Sequence, residues 1–160
     1  MRKKVQDTLD WLDGQIDHPT PPPPRKTWFH LCMAMSRMSW AQAIWATSAR
    51  LGWARVPAKY QHYTTPDKVP AGAFCFGLLN TKSGHAWIAG RGKMDRRIGF
   101  TVDYRRRGQV DRAPLNLPAW TNDQKVRWTA WTPFGFLPLW KDPYNKKNIP
   151  MPAVYKGKAD

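Results

Sequence analysis

The chain of 160 residues contains only two cysteines, Cys32 and Cys75. Two cysteines do not form the disulfide framework of a small secreted domain, so we expect both thiols to be reduced. No apolar run approaches the roughly 20 residues that a membrane-spanning helix needs. The basic N-terminal segment also lacks the apolar stretch and the small-residue cleavage site of a signal peptide. We therefore expect a protein with no membrane span and no signal peptide, made in the cytoplasm.

Acidic residues are scarce as well. The chain carries 11 Asp and Glu side chains against 26 Lys and Arg, which gives a formal net charge of +15. Such a charge favours polyanionic partners, and nucleic acid, an anionic bacterial wall and an anionic membrane surface all fit it. No helix-turn-helix, RNA-binding or zinc-finger signature accompanies the basic residues, so nucleic acid is the second choice. We interpret the charge first as adhesion to wall polymers, with Arg105, Arg106 and Arg107 as candidate polyanion-binding residues.

The sequence also lacks the spacings that hold a metal ion or a nucleotide. Neither a Cys-x-x-Cys nor a His-x-x-x-His pattern occurs among the cysteines and histidines. The segment GRGK at 90–93 lacks the length and the Ser or Thr of a phosphate-binding loop. We therefore predict no metal and no cofactor.

Aromatic residues, by contrast, are plentiful, and ten tryptophans supply apolar surface for a folded core. An amphipathic helix is predicted near the N-terminus because four apolar residues recur at helical spacing, namely Val5, Leu9, Leu12 and Ile16. Four consecutive prolines then stop any helix. A second helix is predicted from near Phe29 or Leu31 to about Ser48, with Gly52 as a C-terminal stop.

After residue 70 the pattern changes from a helical to an alternating period. The segments 69–79, 85–90 and 98–104 each predict a strand, and 110–115 and 126–132 predict two more. Helices followed by a run of strands indicate an α+β domain with an antiparallel sheet.

Cys32 lies where the proline-rich stretch gives way to the helical pattern. A thiol at a helix N-terminus has a lowered pKa and becomes a nucleophile, although a cysteine at this place can equally be a small apolar core residue. Cys75 is flanked by apolar residues on a predicted strand, so we interpret it as a buried, inert thiol.

Two further residues fit a site around Cys32. His85 opens one predicted strand and Asp103 lies near the end of the next, and neighbouring antiparallel strands can bring them together. An imidazole takes the proton of a thiol, and a carboxylate fixes the tautomer of that imidazole. We predict a Cys-His-acid arrangement for acyl transfer. For His85 the alternative is a core or turn histidine with no catalytic role. For Asp103 it is a solvated turn charge paired with Arg105 or Arg106.

The order of these motifs resembles the papain-fold peptidoglycan hydrolases of the NlpC and CHAP types. The matching features are the helix-borne Cys32, Pro-Ala-Gly-Ala at 70–73 and Gly-His-Ala-Trp-Ile at 84–88. The continuation of the chain is similar to small endolysin-like proteins of actinobacterial phages. The stretch Leu31-Cys32-Met33-Ala34 departs from the polar surroundings that the nucleophile has in those families. Beside the Cys32 N–H, we name His30 and Thr27 as candidate oxyanion donors.

The resemblance implies a papain-like fold, with N-terminal helices packed on an antiparallel sheet, and a cysteine peptidase or amidase that acts on peptidoglycan. We divide the chain into an amphipathic helix and proline-rich connector (1–25), a hydrolase domain (26–140) and a basic tail (141–160). The expected partners are peptidoglycan, anionic wall polymers and other phage virion proteins. The protein would be made in the host cytoplasm and act at the wall or within a virion.

Two other functions stay open at this stage. One is a catalytically inactive phage structural or accessory protein of the same fold. The other is a basic nucleic-acid-binding protein.

Overall fold

Three α-helices come first in the chain: α1 (Val5–Asp17), α2 (Cys32–Ser39) and α3 (Ala49–Arg55), followed by a 3-10 helix at Ala58–Tyr60. The structure, a computed structural model, describes residues 5–41, 46–56, 58–63, 68–77, 83–91 and 97–115, and the backbone of 130–132, 139–141 and 148–150. Leu12 on α1 is fully buried, and Val5, Leu9 and Ile16 pack against the core around it. The amphipathic first helix predicted from these four residues is confirmed.

An antiparallel sheet forms the second half of the fold. Its five strands are β1 (Phe74–Gly77), β2 (His85–Arg91), β3 (Arg97–Val102), β4 (Val110–Pro114) and β5 (Ala130–Thr132). They lie in the order β4-β3-β2-β1-β5, so β2 is central. Two short strands, β6 (Leu139–Lys141) and β7 (Asn148–Pro150), pair separately. Helices followed by an antiparallel sheet confirm the predicted α+β class.

The central strands are buried, and α2 packs on β2. All four residues of β1 and the first six of β2 are buried. Large side chains from both the helices and the sheet are fully buried in the core, among them Trp28, Met35, Trp40, Phe74, Phe76 and Trp87. This packing brings the first turn of α2 beside the first residues of β2.

The predicted second helix is wrong in its length. Instead of running to Ser48, α2 ends at Ser39, and Ala41 adopts a left-handed φ of 54°. The cause is tertiary: the indole N–H of Trp40 donates to the carbonyl of Gly72 at 2.9 Å, in a loop far along the chain. A periodic pattern does not register such a bond, so the helical spacing continues in the sequence beyond the real end of the helix.

Gly52 is not a helix stop. It lies inside α3, whose N-cap is Ser48, the residue at which the sequence predicted an end. The Ser48 hydroxyl accepts the N–H of Leu51 at 3.2 Å, which is the usual capping bond of a serine.

The structure describes only parts of the predicted strand at 126–132 and of the predicted tail at 141–160. Within 126–132 the structure describes a strand at residues 130–132, and residues 126–129 lie outside the described residues. In the segment 141–160 only Lys141 and the strand Asn148–Pro150 are described. No helix in the described part of the chain has the length and apolar character to cross a bilayer. The division at residues 25 and 140 stays a prediction.

Candidate active site

A cavity of about 470 Å³ lies between the first turn of α2, the start of α3, the segment before β2 and the turn after β3. Its wall includes Cys32, His85 and Asp103, the three predicted catalytic residues. His30, Arg37 and Arg107 also line it. Residues separated by more than 70 positions thus share one concave surface, which is where small-molecule and catalytic sites are usually found.

Cys32 is the first residue of α2 and is partly buried in the cavity wall. Leu31 at the N-cap supplies no side-chain bond to the first backbone N–H groups of the helix. The sulfur lies beside the N–H groups of Ala86 and Met33. Because the first turn of α2 faces β2, the thiol lies next to the residue that follows His85.

The pKa of the Cys32 thiol is raised to about 11, chiefly because burial disfavours the thiolate. The N–H groups of Ala86 and Met33 act in the opposite direction, as expected at a helix start, and the negative charge of Asp103 raises the pKa further. The lowered pKa predicted from the sequence is therefore not confirmed, since desolvation outweighs the backbone dipoles. The resting site holds a neutral thiol.

His85 is the first residue of β2 and is only 4% exposed. Gly84, with a left-handed φ of 67°, turns the chain into the strand just before it. Burial lowers the pKa of His85 to about 4, so the imidazole is neutral at physiological pH. A neutral imidazole can accept a proton, and the lowered pKa makes this one a weaker base than an ordinary histidine.

Thr101 on β3 contacts the imidazole: its hydroxyl oxygen lies 2.6 Å from Nε2 of His85. That hydroxyl also donates to the carbonyl of Val102 at 3.3 Å, so we assign it as the acceptor of an Nε2–H. This tautomer leaves Nδ1 without a proton, as a general base requires. The sequence reasoning missed Thr101, although it lies within the strand that leads to Asp103.

Asp103 lines the cavity, but both of its oxygens bind backbone amides. Oδ2 accepts the N–H of His30 at 2.9 Å, and Oδ1 accepts the N–H of Gly108 at 2.6 Å. Both Asp103 and His30 adopt left-handed φ values, 62° and 57°, which strain non-glycine residues. The carboxylate therefore holds two loops together, and Thr101 occupies the place at Nε2 that an orienting acid was expected to fill.

Thr27 does not take the place of an oxyanion donor. Its side chain lies against Gly108, where an added Cβ would come within 2.8 Å of the Thr27 Cβ. Its hydroxyl accepts the N–H of Phe29 at 3.5 Å, and it is absent from the cavity wall. The candidate oxyanion donors in the wall are His30, which is exposed at the mouth, and the N–H groups at the start of α2.

The three consecutive arginines after β3 have different surroundings. The guanidinium of Arg107 lies 5.7 Å from the centre of the Phe29 ring and lines the cavity. Arg105 is 70% exposed and pairs with Asp111 at 3.6 Å, and Arg106 is exposed. The predicted polyanion-binding set thus divides into one cavity residue and two outer residues.

Comparisons with protein-family models, curated proteins and solved structures find no match for this chain. Across the described residues, no three His, Cys, Asp or Glu side chains are grouped as ligands for a metal ion. The arrangement of Cys32, His85 and Thr101 is thus the feature from which function is inferred.

Proposed function

We propose that this chain is a papain-like thiol hydrolase that cleaves an amide bond in the peptide part of bacterial peptidoglycan, as phage lysis enzymes do. The observation that carries the proposal is the shared cavity of Cys32 and His85, with Nε2 of His85 held by Thr101 at 2.6 Å. A thiol, a base within one cavity and a third group that orients the base are the parts of a nucleophilic triad.

The reaction uses water as its only co-reactant. The Cys32 sulfur attacks the amide carbonyl while Nδ1 of His85 takes the thiol proton. The C–N bond then breaks, His85 returns the proton to the leaving amine, and a thioester remains on Cys32. Water attacks the thioester with His85 again as base, which releases the carboxylic acid and restores the thiol.

Proton transfer accompanies attack in this site. With the thiol pKa near 11 and the imidazole pKa near 4, the neutral pair is the resting form. A thiolate–imidazolium pair therefore does not form in advance. The carbonyl oxygen that becomes negative is stabilised by the N–H groups at the start of α2, which have no side-chain cap.

Two further features support a wall hydrolase. A cysteine-bearing helix packed on an antiparallel sheet, with the histidine on the adjoining strand, resembles the layout of papain-like domains. The net charge of +15 also favours adhesion to an anionic wall polymer.

The test is hydrolysis of purified cell walls, followed as new amino groups released into solution. The wild-type chain should release them, and Cys32→Ala should not. Thr101→Val should lower the rate by at least roughly tenfold, since a buried Nε2–H loses its acceptor, while Thr101→Ser keeps the hydroxyl and most of the rate.

A negative result in the hydrolysis test would favour one of the two other functions. If the folded wild-type chain releases no amino groups but still binds walls, the protein is an inactive accessory protein of the same fold. Salt-sensitive binding to DNA in a gel shift, without wall binding, would instead favour the nucleic-acid function.

A further inference from the structure

We infer that the side chain of His30 binds the water molecule that hydrolyses the thioester formed on Cys32. This inference deepens the proposed function and rests on it. His85 remains the base in both steps, and His30 takes part only in the second step, in which water releases the acyl group.

The two histidines of the cavity differ in their access to water. His85 is only 4% exposed, so its imidazole lies away from bulk solvent. His30 is exposed and lines the same cavity, two residues before Cys32 in the chain. The water that attacks the thioester must enter from solvent, and it therefore reaches His30 before it reaches the buried imidazole.

The chemistry of the exposed polar side chains in the wall also favours His30. Four described wall residues have such side chains, namely His30, Thr47, Ser83 and Arg107. A guanidinium only donates hydrogen bonds, whereas an attacking water needs an acceptor for one of its hydrogens. The two hydroxyl oxygens accept as well, but an imidazole nitrogen is far more basic. Among these four groups, the His30 ring is thus the best suited to hold a nucleophilic water.

The His30 ring is held in place from two sides. It stacks on the ring of Phe29, with the ring centres 4.0 Å apart and an angle of 26° between the planes. The backbone N–H of His30 donates to Oδ2 of Asp103 at 2.9 Å. A side chain that is already ordered loses little conformational entropy when it binds a ligand. The ring is therefore prepared to bind water at a fixed position.

The backbone at the mouth of the cavity carries strain. His30 and Asp103 adopt left-handed φ values of 57° and 62°, and the bond between them joins the two strained residues. Such conformations persist only where the surrounding structure enforces them, and they are concentrated at functional sites. A task for the His30 ring in the reaction gives this strain a function.

The water donates one hydrogen bond to a ring nitrogen of His30 and the other to Nδ1 of His85. Its oxygen attacks the thioester carbon while the proton on the second side passes to His85. The C–S bond then breaks, and the sulfur of Cys32 takes the proton back from His85. The hydrogen held by His30 stays on the oxygen, which becomes the hydroxyl of the carboxylic acid.

The experiment separates the two steps on purified cell walls. The leaving amine is released when the thioester forms, but the chain is freed from the wall only when water attacks. His30→Phe keeps a planar ring without a nitrogen. After a first turnover, it should release amino groups about tenfold more slowly than the wild-type chain. It should also accumulate on the walls in a form that withstands detergent, which gel electrophoresis quantifies.

Hydroxylamine supplies a second readout, because it attacks thioesters in place of water and yields a hydroxamic acid and the free thiol. It should restore the turnover of His30→Phe and release the attached chain. It should not restore Thr101→Val, in which the imidazole of His85 is already impaired when the thioester forms.

Three further variants serve as controls. His30→Gly accepts a left-handed φ without strain and lacks the ring, so it should show the same block even if His30→Phe fails to fold. His30→Asn tolerates that φ and keeps a hydrogen-bonding side chain, so it should retain part of the hydrolysis. His18→Phe makes the same exchange at an exposed histidine outside the cavity wall and should match the wild-type chain. Thermal melting verifies that each variant is folded.

The outcomes separate this inference from the proposed function. A wild-type chain that releases no amino groups would end both. With an active wild-type chain, three results would overturn the role of His30 alone: full hydrolysis by folded His30→Gly, slow hydrolysis without attached chain, or an equal loss in His18→Phe. Slow turnover with attached chain that hydroxylamine releases would support it.

Discussion

The thiols of Cys32 and Cys75 differ in whether they line a cavity and not in the direction of their pKa shifts. Both thiols have pKa values raised by burial, but Cys32 lines the cavity whereas Cys75 is fully buried on β1. The difference in reactivity between the two thiols, which the sequence predicted, therefore has another physical cause. The position of Cys32 in the wall of a cavity, rather than a helix dipole, distinguishes the two thiols.

Alkylation of the native protein should show this difference. Iodoacetamide should label Cys32 slowly at pH 7 and progressively faster toward pH 11, with a midpoint well above the ordinary thiol pKa of about 8.5, because only the thiolate reacts. Cys75 should stay unlabelled until the chain unfolds. Peptide mapping by mass spectrometry, with Cys75→Ala as control, measures both. Rapid labelling of Cys32 at pH 6 would contradict the neutral-thiol site.

The buried imidazole of His85 makes stability depend on pH. Its pKa falls from 6.5 in the unfolded chain to about 4 in the fold, so between these values the unfolded chain binds more protons. The contribution of His85 to the free energy of unfolding is fully present above pH 6.5 and is lost as the pH falls toward 4. The loss amounts to roughly 3 kcal/mol, since one pKa unit corresponds to about 1.4 kcal/mol.

Urea unfolding at several pH values tests this behaviour. The free energy of unfolding of the wild-type chain should fall between pH 6.5 and 4 more steeply than that of His85→Gln. All carboxylates titrate alike in the two proteins, so the difference isolates His85. Parallel pH profiles would show that the imidazole is solvated in the fold.

At the scale of elements, Asp103 joins the loop before α2 to the turn after β3. The N–H of Trp28 donates to the carbonyl of Gly108 at 2.9 Å and adds a second link between the same segments. Together these bonds hold Cys32, on α2, at a fixed position relative to β2 and β3.

We expect Asp103→Ala to lower the free energy of unfolding by about 2 to 4 kcal/mol, since two N–H groups lose a charged acceptor and alanine disfavours the left-handed φ. Asp103→Asn keeps one acceptor oxygen and tolerates that φ, so its loss should be smaller. Thermal melting measures both variants. The control is Asp111→Ala, which removes the partner of an exposed arginine and should change little. Equal losses for Asp103→Ala and Asp111→Ala would refute this structural role.

The sequence predicted elements whose pattern is local and continuous. The spacing of Val5, Leu9, Leu12 and Ile16 suffices for α1. A short apolar run after a turn suffices for β2, and alternation suffices for β3. The end of α2 could not be predicted in this way, because it depends on the bond between Trp40 and Gly72 across 32 positions.

The candidate site was predictable to a similar extent. Cys32 and His85 were found because each begins an element and because their order resembles that of known hydrolases. Asp103 was placed near the site, but its hydrogen-bond partners depend on two left-handed residues that no periodicity reveals. Thr101 carries no motif of its own, and only the alternation of the strand points to it.

At the scale of the whole molecule, the described residues carry exposed positive charge in more than one place, at Arg25 and Lys26 as well as at Arg105 and Arg106. Arg105 and Arg106 are exposed and lie outside the cavity wall. Arg105→Gln with Arg106→Gln should weaken binding to purified walls and flatten its salt dependence, with little change in melting temperature. Arg25→Gln with Lys26→Gln removes the same charge from an exposed segment elsewhere and serves as the control. An equal loss in both pairs would mean that net charge alone, and no local patch, mediates wall binding.

The central claim is that Cys32 and His85 act as one catalytic unit. A double-mutant cycle of wall hydrolysis tests it most directly, with rates measured for the wild-type chain, Cys32→Ala, His85→Ala and the double variant. Residues that act as a unit are not additive, so each single change should abolish hydrolysis and the double variant should be no slower than the slower single one. Measurable hydrolysis by folded Cys32→Ala, or losses that add in the double variant, would contradict the account.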